Sequence, residues 1–207
     1  MTLATVEVPV LQEKKISLTA RGVTPLIQHA WSQEAKDKIL GRQQGKTQNK
    51  KARDPVREFL DSLYWITKPY EGDTADWNVV KAYLDKSRFG VPAAALKQCA
   101  IAACSHVTSI TKVFCRTALH LDTPDELLPI IGSTPELHES TVRIGQGTGD
   151  LRYRGIFRDW SVEIPILITG AISVESVANL FKIGGNCVGI GDWRPETNGQ
   201  YGRFTLE

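Results

Sequence analysis

The residues best suited to binding or chemistry lie near the end of the chain, where glycines alternate with aromatic and cationic side chains. Residues 184–204 contain six glycines, and among them stand Trp193, Arg194, Tyr201 and Arg203. Flat rings and guanidinium groups beside bare backbone suit the stacking of bases and the neutralisation of phosphates. Composition alone favours a different interpretation, a glycine-rich turn that closes a sheet with Trp193 packed over it.

Two earlier segments concentrate further cations. Residues 36–57 carry eight basic and two acidic side chains, and residues 41–54 have so few apolar side chains that they predict a mobile surface loop. The loop could order on nucleic acid or stay solvated without a partner. Residues 145–158 are rich in glycine and arginine and predict an extended hairpin or a flexible flap. Arginines of this flap could instead pair with Asp150, Asp159 and Glu163.

These three segments supply the candidate nucleic-acid-binding residues. They are Arg42, Lys46, Lys50, Lys51, Arg53, Arg143, Arg152, Tyr153, Arg154, Arg158, Trp193, Arg194, Tyr201 and Arg203.

Side chains suited to catalysis are sparse. His29 follows the first predicted strand and is a candidate general base for metal-independent RNA cleavage, with a purely structural histidine as the alternative. The other histidines and the four cysteines are scattered without metal-ligand spacing, so no metal site is predicted. The glycines match neither a P-loop nor a dinucleotide-binding motif, so no cofactor is predicted.

Composition indicates one domain of ordinary globular type. The chain has 207 residues, 42% hydrophobic and 23% charged, and a net charge of +2. No apolar run is long enough for a membrane span and no secretory signal is evident, so a cytoplasmic protein without a membrane partner is expected. Residues 119–140 carry five acids and no Lys or Arg. Their attraction to residues 36–57 of a neighbour would favour a homo-oligomer or a larger complex.

The pattern of elements predicts an α+β fold. Alternation predicts strands near residues 16–21, 141–146 and 160–169, and Pro165 predicts that the last of these lies at an edge or carries a bulge. Helices are expected after Ser32, after Asp54, over residues 91–107 and after Ser173, where Gly184-Gly185 is expected to end the helix. The simplest arrangement is a ferredoxin-like (RRM-like) antiparallel sheet, with helices on one face and inserted flexible loops.

At the C-terminus the sequence resembles the RAMP superfamily, the ferredoxin-like RNA-binding proteins of CRISPR effector complexes. Gly189-Ile190-Gly191 after the last predicted helix, followed by Tyr201-Gly202, matches the superfamily's glycine-rich loop over about forty residues. Gly191-Asp-Trp-Arg-Pro-Glu196, with Gly202-Arg-Phe204 and Pro25-Leu-Ile-Gln-His29, is also similar to a family of small bacteriophage proteins. The first resemblance implies RNA binding, and the second implies a phage or prophage origin.

Three functions fit these observations. The first is a non-catalytic protein that binds single-stranded RNA or DNA by phosphate neutralisation and base stacking, with copies side by side along the strand. The second is a protein–protein device, such as a phage inhibitor of a host defence complex or a structural component. The third is a RAMP-like endoribonuclease that uses His29.

Overall fold

The computed structural model describes residues 10–31, 33–45, 52–144 and 148–207. The described residues form six α-helices and nine β-strands. The helices are α1 (Gln33–Gln43), α2 (Pro55–Asp61), α3 (Trp77–Leu84), α4 (Ala93–Ala103), α5 (Lys112–Ala118) and α6 (Val174–Cys187). The strands are β1 (Glu13–Gly22), β2 (Leu26–Ile27), β3 (Gly90–Pro92), β4 (Leu119–Leu121), β5 (Leu127–Gly132), β6 (Glu136–Ile144), β7 (Thr148–Phe157), β8 (Trp160–Thr169) and β9 (Phe204–Leu206).

Side-chain caps explain where two of the predicted helices begin. The Asp54 carboxylate accepts hydrogen bonds from two backbone N–H groups in the first turn of α2. Ser173 accepts one from the N–H of Ser176 at 3.1 Å and so caps α6. Each cap satisfies N–H groups that have no partner within the helix. Both predicted caps are confirmed.

A six-stranded antiparallel sheet organises the larger part of the molecule. The strand order is β3-β5-β8-β1-β9, and β4 pairs with β8 beside β5. Ala20 of β1 and Ile164 of β8 lie in one buried core with Leu96 of α4 and Phe181 of α6. The predicted α+β class is confirmed, since antiparallel sheets and helices share this core.

The second sheet has three strands in the order β2-β7-β6, and β6 and β7 form a long antiparallel hairpin. We call β6 and β7 together the flap hairpin. Its inner side packs on α2 and the residues after it at Gly155, where a Cβ atom would lie 2.2 Å from Leu63 Cδ2 and would require that side chain to move. Of the segment predicted to be an extended hairpin or a flexible flap, residues 148–157 form strand β7, whereas residues 145–147 lie outside the described residues.

Pro165 does not mark an edge strand, so that prediction is wrong. β8 is a central strand that pairs with β1 in unbroken register, Pro165 opposite Ser17. On its other side β8 pairs with β5 up to Val162 and with β4 from Ile166, which leaves a gap at Pro165. In this gap the Pro165 carbonyl accepts a hydrogen bond from the N–H of Asp122 (3.0 Å). No strand pairs with β8 at this point on that side, so the N–H that proline lacks is not needed for a hydrogen bond between strands.

Gly184 and Gly185 do not end α6, which continues to Cys187. They allow close packing instead, because a Cβ atom on Gly184 would lie 2.9 Å from the Cys99 carbonyl oxygen of α4. On Gly185 it would lie 2.2 Å from the carbonyl oxygen of Phe204 in β9. The helix is terminated by Gly189, whose φ is 72° and whose N–H donates to the Gly184 carbonyl.

None of the helices in the described part of the chain is long and apolar enough to cross a membrane.

Candidate functional site

The glycine-rich segment after α6 is a folded loop that lies along β2. We call residues 189–203 the terminal loop. The N–H of Asp192 donates to the Ile27 carbonyl (2.9 Å) and the N–H of Gly202 to the Pro25 carbonyl (2.8 Å). Gly191 has a φ of 78°, and a Cβ atom there would lie 2.4 Å from the Ile27 carbonyl oxygen. Glycine is therefore required for this close approach of two backbones.

A cross-strand row of charged and titratable side chains lies under this loop. Arg154 of β7 is directly opposite His138 of β6. On the other side of β7, Ile27 pairs with Ile156, and the N–H of Gln28 donates to the Gly155 carbonyl (2.9 Å), which sets His29 opposite Arg154. Facing residues of antiparallel strands share one side of the sheet. Two imidazoles therefore flank one guanidinium.

The terminal loop packs on this row through two contacts. Asp192 forms an ion pair with Arg154, whose side chain is 7% exposed. The Tyr201 ring lies against the His138 ring, with a centroid separation of 6.0 Å. The flap hairpin and the terminal loop, far apart in sequence, thus meet in a seam.

The predicted basic loop is only partly described. Helix α1 extends to Gln43, so the first residues of the predicted loop are helical. Several of the predicted binding groups lie outside the described part of the chain. They are the side chains of Arg42 and Arg143 and the whole residues Lys46, Lys50 and Lys51.

Arg53 connects the end of the predicted basic loop to the flap hairpin. Its guanidinium donates to Glu58 Oε1 at 2.6 Å and to Asp150 Oδ1 at 2.7 Å, and it lies 5.9 Å from the centroid of the Tyr153 ring. Tyr153 and Gly155 share the side of β7 that faces α2, opposite to Arg152 and Arg154. Arg53 and Tyr153 therefore border the seam without facing into it.

The remaining predicted arginines also have partners within the chain. Arg152 pairs with Asp150 (2.9 Å), Arg158 with Glu136 (2.7 Å) and Arg194 with Glu196 (2.7 Å). Arg203 donates to Asn186 Oδ1 at 2.8 Å. Of the acids expected to pair with the flap, Asp150 pairs with Arg152 among the described side chains, whereas Glu163 lies on β8 and accepts from Ser17 Oγ.

A pocket of about 280 Å³ opens where the seam meets the start of α4. Its polar lining comes from Gln28, His29, Tyr64, Asp192 and Arg194. Its apolar lining comes from Leu26, Val91, Pro92 and Ala95, with the backbone of Gly191 between the two sets. Among these residues, His29 and Arg194 were predicted from the sequence as site residues. Tyr64 and Asp192 were not, although Asp192 stands directly before Trp193.

The surroundings of His29 in this pocket disfavour its protonated form. Burial, together with the positive charges of Arg154 and Arg152, lowers the pKa of His29 to about 4. The imidazole is therefore neutral at pH 7. The same causes act on His138, whose pKa is lowered by burial and by Arg158 and Arg154. At both imidazoles, burial and the neighbouring arginines together disfavour a further positive charge.

The exposed aromatic side chains of the described residues lie in loops and helices rather than on the main sheet. Trp193 of the terminal loop is 41% exposed, and Trp31, two residues beyond His29, is 61% exposed. The outward face of the main sheet presents Lys15, Ser17 and Glu163, and no exposed Phe, Tyr or Trp stands on its described strands. The main sheet therefore offers no exposed aromatic ring on its described strands for a base to stack on, as bases do on the sheet of an RRM.

The described side chains form no cluster of three His, Cys, Asp or Glu that could hold a metal ion. Comparison of the sequence with models of known protein families and with curated proteins finds no match. The similarity to RAMP and bacteriophage proteins stays a prediction.

Proposed function

We propose that the protein binds single-stranded nucleic acid, RNA or DNA, along the seam between the flap hairpin and the terminal loop and performs no chemistry on it. The observation that carries the proposal is the placement of Arg194 in the lining of the pocket at His29, with Arg154 joined to the pocket-lining Asp192 by an ion pair. The exposed Trp193 stands between two pocket-lining residues and offers a ring for base stacking.

The internal ion pairs do not oppose this proposal. Arg158 and Glu136 are both more than half exposed, and Arg194 and Glu196 are partly exposed. Exposed pairs of this kind contribute only about 0–1 kcal/mol, so a phosphate can replace the carboxylate at little cost. The buried Arg154 acts differently, because it holds the loop in place and adds positive potential.

The proposal includes a ferredoxin-like fold of the RAMP type. In chain order, β1, α4, β5, β8, α6 and β9 follow the β-α-β-β-α-β pattern, with the flap hairpin inserted between β5 and β8. The strand order β5-β8-β1-β9 and its antiparallel pairing support this assignment. We further propose a phage or prophage origin and action in the bacterial cytoplasm. The free, buried thiols of Cys99, Cys104 and Cys115 support the cytoplasmic location.

Fluorescence polarisation with labelled single-stranded RNA and DNA across a salt series tests the proposal. We expect binding at low salt that weakens as salt rises, and Arg158→Ala should reduce the salt slope by about 0.7 for the phosphate contact it removes. Arg21→Ala is the matched control, because Arg21 is equally exposed and also paired with a carboxylate, Glu207. Absence of binding at low salt, or equal effects of the two variants, would contradict the proposal.

Assembly is a separate part of the proposal. The opposite charges of residues 36–57 and 119–140 support side-by-side contacts between copies. Light scattering with and without oligonucleotide measures the mass directly. A monomer under both conditions would remove this part and leave the binding proposal intact.

The neutral imidazole of His29 favours a second candidate, metal-independent cleavage of RNA. A neutral ring at the mouth of a positive pocket can accept a proton from a 2′-hydroxyl, although a base with a pKa of about 4 is weak. Cleavage of labelled RNA should then be constant above about pH 5, decline as pH falls through 4 and disappear in His29→Gln. RNA that stays intact with the wild-type protein excludes this candidate.

A further inference from the structure

The pocket at His29 combines three recognition elements that rarely occur together by chance. The first is cationic: Arg194 lines the pocket, and the charges of Arg152 and Arg154 reach His29. Arg194 is held by Glu196, whose side chain is 46% exposed, and by the Gly191 carbonyl (3.2 Å). This weak outer pair leaves the guanidinium able to accept a phosphate as an additional or alternative partner.

The start of α4 reinforces the cationic side. Pro92 and Ala95 line the pocket, and no side chain caps this helix. The N–H of Ala93 is used by the Glu126 carbonyl (2.8 Å). The next N–H groups of the first turn are left for an acceptor in the pocket, and the helix dipole favours a negative charge there.

The second and third elements are a carboxylate and an aromatic ring. Asp192 lines the pocket, and its charge is balanced by Arg154, so it can accept a hydrogen bond from a ribose hydroxyl or a base amino group without repelling an anion. Tyr64 lines the pocket together with Leu26 and Val91, and its hydroxyl donates to the His29 carbonyl (3.4 Å). Such a wall suits the face of a base.

We infer that this pocket binds one nucleotide unit, with the phosphate toward Arg194 and the first turn of α4, a hydroxyl or amino group on Asp192, and the base against Tyr64. A volume of about 280 Å³ lies at the small end of ligand pockets and suits one nucleotide rather than a length of chain. The inference rests on the proposed function, since the nucleotide is one unit of the bound strand, turned out of the stack into the pocket.

Isothermal titration calorimetry with the full chain tests the inference with nucleoside 5′-monophosphates, the corresponding nucleosides and inorganic phosphate as probes. We expect the monophosphates to bind at least about tenfold more tightly than either fragment, because only they use both sides of the pocket. Ala95→Phe fills the pocket and should weaken monophosphate binding by about tenfold or more. Gln98→Phe, at an exposed position of the same helix that does not line the pocket, should leave binding unchanged.

The outcomes separate this inference from the proposed function. Equal binding of inorganic phosphate and monophosphate, equal binding by Ala95→Phe and Gln98→Phe, or no binding at millimolar monophosphate would each overturn the pocket assignment. Oligonucleotide binding that survives Ala95→Phe unchanged would overturn it while leaving the seam as a binding surface. Monophosphate binding without oligonucleotide binding would leave a free-nucleotide site and remove the proposed function. Thermal unfolding of both variants checks that each is folded.

Discussion

Arg154 of the flap hairpin and Asp192 of the terminal loop form an ion pair between two elements that are adjacent only in the folded chain. The arginine side chain is 7% exposed and the aspartate side chain 27%, so the two partners differ in their access to water. Burial also lowers the pKa of Arg154. A charge in that position is tolerated only when it is paired. The pair therefore fixes the terminal loop on the small sheet, and the seam depends on it.

Breaking this pair should be asymmetric. Asp192→Ala leaves a buried guanidinium without a carboxylate and should lower the free energy of unfolding by about 3–5 kcal/mol. Arg154→Met leaves a partly exposed carboxylate that water can solvate, so the loss should be smaller. Urea denaturation of both single variants and the double variant measures the coupling. Equal single losses that add in the double variant would show that the two side chains do not interact.

The two histidines beside Arg154 should respond to different arginines. Arg152 contributes to the lowered pKa of His29, and Arg158 to that of His138. Arg152→Gln should therefore raise the pKa of His29 and leave His138 unchanged, while Arg158→Gln should do the reverse. Neither pKa should return fully to 6.5, because burial is the larger cause. NMR titration of the imidazole protons measures both values, and each variant controls for the other.

These lowered pKa values also set the sign of a pH effect on stability. The folded protein releases the His29 proton at about pH 4, whereas the unfolded chain holds it up to about 6.5. The unfolded state therefore binds more protons between these values, and the free energy of unfolding should fall as pH decreases from 6.5 toward 4. Urea denaturation at several pH values should show a shallower decline in Arg152→Gln. A flat profile for the wild-type protein in that window would contradict the placement of His29.

Short-range patterns in the sequence predicted the α+β class, two helix caps and the alternation in two strands. The long-range pairing of the strands could not be predicted from them. The caps at Asp54 and Ser173 and the alternation in β1 and β8 depend on neighbouring residues, so the sequence contains them. β2 has only two residues and carries no periodicity, yet it joins the flap hairpin to the terminal loop. Pro165 predicted an edge because the sequence does not show that β4 and β5 leave a gap opposite it.

The site was predictable in composition and not in geometry. Glycine, Trp193 and Arg194 in one segment predict a surface for bases and phosphates; in the structure Gly191 lies against the Ile27 carbonyl and Trp193 is 41% exposed. Some of the acids that pair with the arginines come from other elements, such as Glu136 opposite the end of β7. The N–H of Tyr64 donates to Gln28 Oε1 (2.8 Å), a long-range contact beside the pocket that no sequence spacing reveals.

Gly185 should resist substitution although it lies inside a helix. Alanine favours a helix over glycine by about 0.8–1.0 kcal/mol, but a Cβ atom at Gly185 would lie 2.2 Å from the Phe204 carbonyl oxygen. We expect Gly185→Ala to lower the free energy of unfolding by about 1–3 kcal/mol through overpacking. Asn179→Ala, at an exposed position of α6, is the control and should be neutral or slightly stabilising in urea denaturation. Stabilisation by both changes would mean that α6 and β9 are not in close contact.

Trp193 should contribute to strand binding through stacking rather than charge. Removing one base–aromatic stack costs about 1–3 kcal/mol, so Trp193→Ala should weaken single-stranded binding by roughly five- to 150-fold. The dependence of affinity on salt should not change, because no phosphate contact is lost. Trp77→Ala is the matched control, since Trp77 is 40% exposed against 41% for Trp193 but lies on α3, against Phe59. Polarisation titrations of both variants at two salt concentrations separate the possibilities: equal losses would indicate a general effect on folding, and an altered salt slope in Trp193→Ala would show that the indole acts by positioning a cation.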